Sequence, residues 1–358
     1  MSKPSSFYAC IMAGGSGERF WPMSRARTPK QLLKLLGETT LIEETVRRLD
    51  GVVPLENIFV LTNEVQLAAT RAALPMLRPA QIVAEPAKRD TAPAAALATA
   101  LVRARDPQGV MLVLSADAVI HDGTSCGRQL GAALARAAQT DAVLTFGIKP
   151  DHAATGFGYL EMGDEVARGA EGSVFRRVKR FVEKPDAATA QRYVESGHYA
   201  WNAGIFAWSV AVFLAEADRN APTLAKFIRE FPAGESAAVS YLAEKFPTLE
   251  PKVSLDYAIM EKASAVETAV AAFDWDDVGL WTALPKHLPN DAADNTVRGP
   301  VVAVNSANNI AVSNGRMIAL CGVKDLVVVE TADAILVCHR DAVQDIKKLH
   351  PLLPKELL

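Results

Sequence analysis

Residues 13–19 read Ala-Gly-Gly-Ser-Gly-Glu-Arg, and Lys30 follows in the segment Pro29-Lys30-Gln31. Glycines at Gly14, Gly15 and Gly17 let a backbone come close to a phosphate, and successive N–H groups there can form a concave anion site around Ser16. Arg19 and Lys30 can both face one polyphosphate and neutralise charge as a phosphate group departs. The competing reading is a tight turn with two solvated cations. The loop fits neither common nucleotide fingerprint: Phe20 stands where a dinucleotide loop needs its third glycine, and no Gly-Lys-Ser/Thr is present.

Two acidic positions suit the same chemistry. Asp117 follows the apolar run Val110–Ser115, where a carboxylate at a strand's carboxyl end can hold a hard divalent cation against phosphate oxygens. It can equally cap the next segment. Asp276 and Asp277 are adjacent and repel unless a cation or partner stands between them, so they either bind one or splay to solvent. Elsewhere Glu85 precedes Lys88-Arg89-Asp90-Thr91, in which Asp90 or Thr91 is a fair helix N-cap. Gly158, the Glu183-Lys184 pair and Asn202 offer close approach, charge and an amide for a polar ring.

These residues need a scaffold, and the pattern supplies one. Apolar runs at 7–13, 57–62, 81–84, 110–115 and 142–148 read as buried strands. Helix-length segments at 41–49, 64–77, 92–105 and 125–139 lie between them. Continuous apolar strands alternating with helices predict an α/β, Rossmann-like doubly wound mixed sheet with helices on both faces and ligands at the strands' carboxyl ends. Further on, 174–184 and 204–209 read as strands, and 186–196, 210–219 and 254–263 as helices. A Pro-, Asn- and Asp-rich break near 285–298 predicts a boundary. It divides the chain into residues 1–288 and a small C-terminal β unit, 289–358, ending in a helix near 342–349.

The 358 residues carry a net charge of −3, with no basic stripe for a nucleic acid. Cys10, Cys126, Cys321 and Cys338 are scattered without a Cys-x-x-Cys pair, which argues against zinc and disulfides. The apolar stretch at 7–13 is too short for a signal peptide, and no run elsewhere suits a bilayer, so a cytoplasmic location without membrane contact is expected.

The run from Ala13 through Gly17-Glu18-Arg19-Phe20-Trp21-Pro22-Met23-Ser24-Arg25, with Pro29-Lys30-Gln31, resembles the signature of sugar-1-phosphate nucleotidyltransferases, and its Trp-Pro-x-Ser-Arg extension is most similar to the mannose-1-phosphate guanylyltransferases. The resemblance implies a loop around a triphosphate, with Arg19 and Lys30 assisting departure of pyrophosphate. It also implies Asp117 and Asp277, the latter within Trp275-x-Asp277-Val278-Gly279-x-Trp281, as joint ligands of Mg²⁺. Glu85, Asp90 and Thr91 fall in a stretch similar to the family's base-binding segment. Gly158, Glu183, Lys184 and Asn202 fall in its sugar pocket, with Lys184 meeting the sugar's phosphate.

The substrates so implied are GTP and mannose 1-phosphate. A homodimer is left open, and on this length the isomerase domain of longer relatives is not expected. Two departures stand out: Ala118 replaces the family's histidine after the aspartate, and Asp90 replaces an asparagine. Another sugar 1-phosphate, another nucleoside triphosphate, or a non-catalytic nucleotide-sugar sensor are the alternatives. Asp256, in Ser254-Leu255-Asp256, is accounted for by helix capping and left outside the site.

Overall fold

The computed structural model describes residues 6–358, apart from the side chain of Glu171; the polar lead-in at residues 1–5 lies outside them. The chain opens with β1 (Phe7–Met12), α1 (Leu41–Arg47), β2 (Ile58–Asn63), α2 (Leu67–Ala73), β3 (Ile82–Glu85), α3 (Thr91–Arg105), β4 (Val110–Ser115), α4 (Gly123–Ala137) and β5 (Val143–Ile148). It continues through β6 (Tyr159–Arg168), β7 (Val174–Val182), α5 (Ala187–Ser196), β8 (Tyr199–Ser209), α6 (Val210–Asn220), α7 (Pro222–Glu230), α8 (Glu235–Lys245) and β9 (Val266–Val270).

Nine strands form one mixed sheet in the order β3-β2-β1-β4-β8-β5-β9-β7-β6. The first four are mutually parallel, and β8 runs antiparallel to β4. Along β1 successive side chains alternate between two helical layers: Tyr8 and Cys10 pack in one apolar cluster, Ala9 and Ile11 in the other. That alternation, with no polar residue in between, is what a strand covered on both faces requires. The expected doubly wound mixed sheet is what the chain forms.

Register decides where the site lies. Met12 pairs with Leu61 and Ser115, and Asn63 pairs with Glu85, so β1, β2, β3 and β4 all end at one edge. Because β8 is antiparallel, with Val113 opposite Phe206, its early residues, including Asn202, project past the end of β4 into the same crevice.

Several local expectations are corrected. The helix read over 64–77 is only α2, because Gln66 is drawn inward and Leu74 and Leu77 bury in irregular backbone. β8 begins at Tyr199, so Asn202 sits on a strand, not a loop. β6, α7, α8 and β9 carry no sequence expectation at all. The helix expected over 254–263 is a single π-turn, Asp256–Met260.

Beyond the sheet lies the small β unit: β10 (Thr296–Arg298), β11 (Val301–Val304), β12 (Ile310–Ser313), β13 (Ile318–Cys321), β14 (Leu326–Glu330) and β15 (Ile335–His339), then the short α9 (Ile346–Leu349). β10, β12 and β14 stack in parallel, as do β11 and β13. One apolar cluster joins this unit to the signature segments: Phe20, Trp21, Val278 and Trp281 pack with Ile310, Val327, Leu336, Val343 and Ile346. Among the described residues, no helix is long and apolar enough to cross a membrane.

Candidate active site

The glycine loop leaves β1 and is tied down from below. Gln31, buried, donates from Nε2 to the Ala13 carbonyl at 2.7 Å and to that of Gly15 at 3.3 Å, while Gln66 Nε2 also donates to Gly15 O at 3.2 Å. These side chains tie down the carbonyl groups of Ala13 and Gly15 in a loop that lines the cleft. Gly17 has φ of 63°, and a Cβ there would lie 2.6 Å from the backbone nitrogen of Lys30. Only glycine brings the loop that close to the segment carrying Lys30.

Lys30 is the keystone of the acidic pair. Its Nζ donates to Asp117 Oδ2 at 3.0 Å and to the backbone carbonyl of Asp277. The two aspartate loops are also joined through backbone: Val119 N–H donates to Asp276 O at 2.8 Å and Asp276 N–H to Val119 O at 3.0 Å. Residues distant in sequence are thereby clamped side by side.

The adjacent aspartates divide their work. Asp276 Oδ1 accepts the Val278 N–H at 2.7 Å, and its Oδ2 lies 3.3 Å from His287 Nε2 and 3.8 Å from Lys286 Nζ. Burial disfavours its charge, but the neighbouring His287 imidazole and the Val278 N–H outweigh that and hold its carboxyl below the usual range. Asp277 instead faces the cleft, where burial, with Asp276 and Asp117 nearby, raises its carboxyl. Val278, the next residue, has φ of 42°, a costly state for a β-branched residue that the bridge and its burial impose.

The cleft has two lobes sharing Gly15, Lys88, Ser115, Asp117, Asn202, Gly204 and Asp256. One, a cavity of about 720 Å³, is lined by Gly14, Gly15, Glu85, Asp90 and Thr91. Burial pushes the Glu85 carboxyl up to about 8. Asp90 accepts the Thr91 N–H at 2.7 Å, as a cap, and Thr91 Oγ1 accepts from Leu255 N–H at 2.8 Å. Both residues thus carry a structural role at the cavity's edge.

The other lobe, about 550 Å³, is lined by Ser16, Gly17, Arg19, Lys30, Gly158, Glu183 and Asp277. A Cβ at Gly158 would sit 2.7 Å from Glu183 Oε2, so a side chain there would displace that carboxylate. Phe157 packs edge-on against Trp201 and Trp275 as an apolar wall. The Trp275 indole N–H, buried without a partner among the described residues, belongs to the same lobe.

The structure brings together all the expected site residues except one. Lys184 lines neither lobe; its Nζ pairs with Glu183 Oε1 at 2.6 Å, because φ of 45° turns it onto its neighbour. The reading of Asp256 as a cap alone is corrected as well. It lines both lobes, accepts from Asn202 Nδ2 at 3.3 Å, and burial together with Glu183 raises its carboxyl to about 6. Lys88 and Ser115 were also not foreseen. Ser115, the last residue of β4, was findable by the same strand-end argument that singled out Asp117.

The nucleotidyl transferase profile matches residues 8–293. The chain belongs to the nucleotidyl transferase family. Residues 299–351 of this nucleotidyl transferase match a second profile, the mannose-phosphate isomerase/GMP-like β-helix domain. The chain is 37% identical over 351 residues to the mannose-1-phosphate guanylyltransferase of Escherichia coli (strain K12), covering 96% of this chain and 73% of that one. Identity to mannose-1-phosphate guanylyltransferase ManC of Salmonella typhimurium (strain LT2) is also 37%, over 97% of this chain and 73% of that one. Among solved structures, a Thermus thermophilus protein described as a mannose-1-phosphate geranyltransferase superposes with a TM-score of 0.86. It is 32% identical, over 97% of this chain and 99% of its own.

Proposed function

We propose that this chain joins GTP to mannose 1-phosphate, forming GDP-mannose and releasing pyrophosphate. The observation that carries the reading is the clamp of Asp117, Asp277 and Lys30, in which Asp117 lines both lobes while Lys30 and Asp277 line the one away from Glu85; the first lobe suits a base and the second the phosphates and sugar. A glycine loop flanked by cations and carboxylates suits a nucleotide's phosphates; a prenyl chain has no use for them.

The donor set fits magnesium. Two carboxylates brought side by side, one of them raised by burial, offer a hard cation two oxygens and leave its remaining positions to water and phosphate. Bound there, Mg²⁺ would offset charge on the phosphates. Asp117 and Asp277 hold it. Arg19 faces the departing pyrophosphate, and Lys30 fixes both aspartate loops while offering its ammonium to the phosphates. Glu85, once ionised, accepts from guanine N1–H and N2–H₂. Glu183, Asn202 and Asp256 hold mannose hydroxyls, with Gly158 admitting the ring. A phosphate oxygen of mannose 1-phosphate then attacks the α-phosphorus as pyrophosphate leaves in line, so positioning and charge neutralisation carry the rate.

In this reading residues 1–288 form the transferase domain and 289–358 the β unit, and the enzyme works in the cytoplasm. The test is pyrophosphate release measured across four nucleoside triphosphates and several sugar 1-phosphates. GTP with mannose 1-phosphate should give the highest turnover. Binding without turnover for every pair would replace the enzyme by a sensor, and a different preferred pair would correct the substrates.

A further inference from the structure

We infer that Lys347, delivered from the C-terminal β unit by α9, is a third phosphate-contacting cation that binds the departing pyrophosphate. The inference rests on the proposed function and names a residue outside the transferase sheet. Lys347 lines the phosphate lobe together with Arg19, Lys30 and Asp277, and it is absent from the lobe that holds Glu85. It therefore stands with the phosphate-facing cations and away from the base.

The placement is built, not incidental. The preceding residue, Ile346, is buried in the cluster with Phe20, Trp21, Val278 and Trp281, and α9 packs on the turn Glu18–Phe20 that carries Arg19. The tail beyond it is anchored by Trp21 Nε1, which donates to the Leu357 carbonyl at 3.0 Å. Arg25 pairs with Asp333 at 2.9 Å, fixing the β unit to the signature segment a second time. So short a helix is thus fixed beside the glycine loop by packing on both sides, and Lys347 is carried on it.

Charge explains what it does there. Lys30 already faces Asp117 at 3.0 Å, so its charge is shared with a carboxylate before any phosphate arrives. Lys347 has no ion-pair partner among the described residues, whereas its neighbour Lys348 is paired with Asp345 at 2.7 Å. An exposed, uncommitted ammonium at the open end of the lobe can follow pyrophosphate as it separates, which a buried cation cannot do.

The test uses the full chain with magnesium and inorganic pyrophosphate as the probe. Calorimetric titration compares the unaltered chain with Lys347→Met, Lys347→Arg and Lys348→Met, and kinetics in the reverse direction give KM for pyrophosphate. Lys347→Met should weaken pyrophosphate about tenfold, as loss of one charged but solvent-screened contact does. Its KM for mannose 1-phosphate should stay within about twofold, since the contact is local. Lys347→Arg should recover most of the loss, and Lys348→Met should match the unaltered chain. Unchanged pyrophosphate binding in Lys347→Met overturns the inference. So does an equal loss for both ligands, or a loss shared by Lys348→Met. An unaltered chain that binds neither GTP nor pyrophosphate would remove the proposed function and this inference with it.

Discussion

Glu85 gives the sharpest test of how the base is chosen. With its carboxyl raised to about 8 by burial, it is mostly protonated at neutral pH in the empty cavity. A protonated carboxyl presents a donor to guanine's N1–H and N2–H₂, so only the ionised form is competent. The apparent GTP affinity then falls by the competent fraction: roughly elevenfold below its plateau at pH 7 and about a hundredfold at pH 6, reaching the plateau near pH 9.

Replacing Glu85 by Gln leaves one acceptor and a fixed donor, which costs about 2–3 kcal/mol, or roughly 30- to 150-fold in GTP affinity at pH 9. It also removes the titration. The assay is the dissociation constant of GTP, with ATP alongside, from pH 6 to 9 for both chains; the difference between chains cancels the nucleotide's own ionisation. A flat difference across that range, or Glu85→Gln binding GTP as tightly as the unaltered chain at pH 9, refutes the reasoning.

Asp117→Ala should lower kcat by at least about a hundredfold through loss of charge stabilisation, with the melting temperature nearly unchanged because Asp117 is half-exposed; near-normal turnover would remove it from the site. Gly17→Ala should cost about 1–2 kcal/mol for its left-handed backbone alone, read by urea unfolding. Activity should fall further than stability, because the new Cβ displaces Lys30. Asp256→Asn should stabilise the fold at pH 8 by about 1–3 kcal/mol. The folded carboxyl near 6 lies above its unfolded value, so the unaltered chain loses stability as pH rises through that range, and the gain should vanish below pH 4. Equal stabilities at pH 8 would show that Asp256 is not strained by burial.

Much of the site was legible because strand ends and glycine loops are local signals. The run Val110–Ser115 and the loop after β1 each announce a carboxyl end, and the sheet then aligns them through the Met12–Ser115 register. What a sequence does not display is the partner of each polar group. Asp276 and Asp277 look alike until the Val119 bridge and His287 claim the first and leave the second to the cleft. Asp256 passed for a cap because Ser254 really does precede a turn; that the turn is a π-turn aimed at Asn202 depends on β8, whose early residues lacked the strand pattern. The partner of Lys184 is equally hidden in the sequence, being its own motif neighbour Glu183. Lys347 was invisible because its role follows from packing between regions at opposite ends of the chain.

The reciprocal backbone bonds between Val119 and Asp276 have a consequence during synthesis. A ribosome-bound chain can display the glycine loop and Asp117 early, yet the second carboxylate arrives only after β9 has left the exit tunnel and docked. Half-made chains and proteolytic fragments ending before residue 276 therefore hold at most one of the two proposed metal ligands. Competence is conferred at once, late, by the pairing of two single residues.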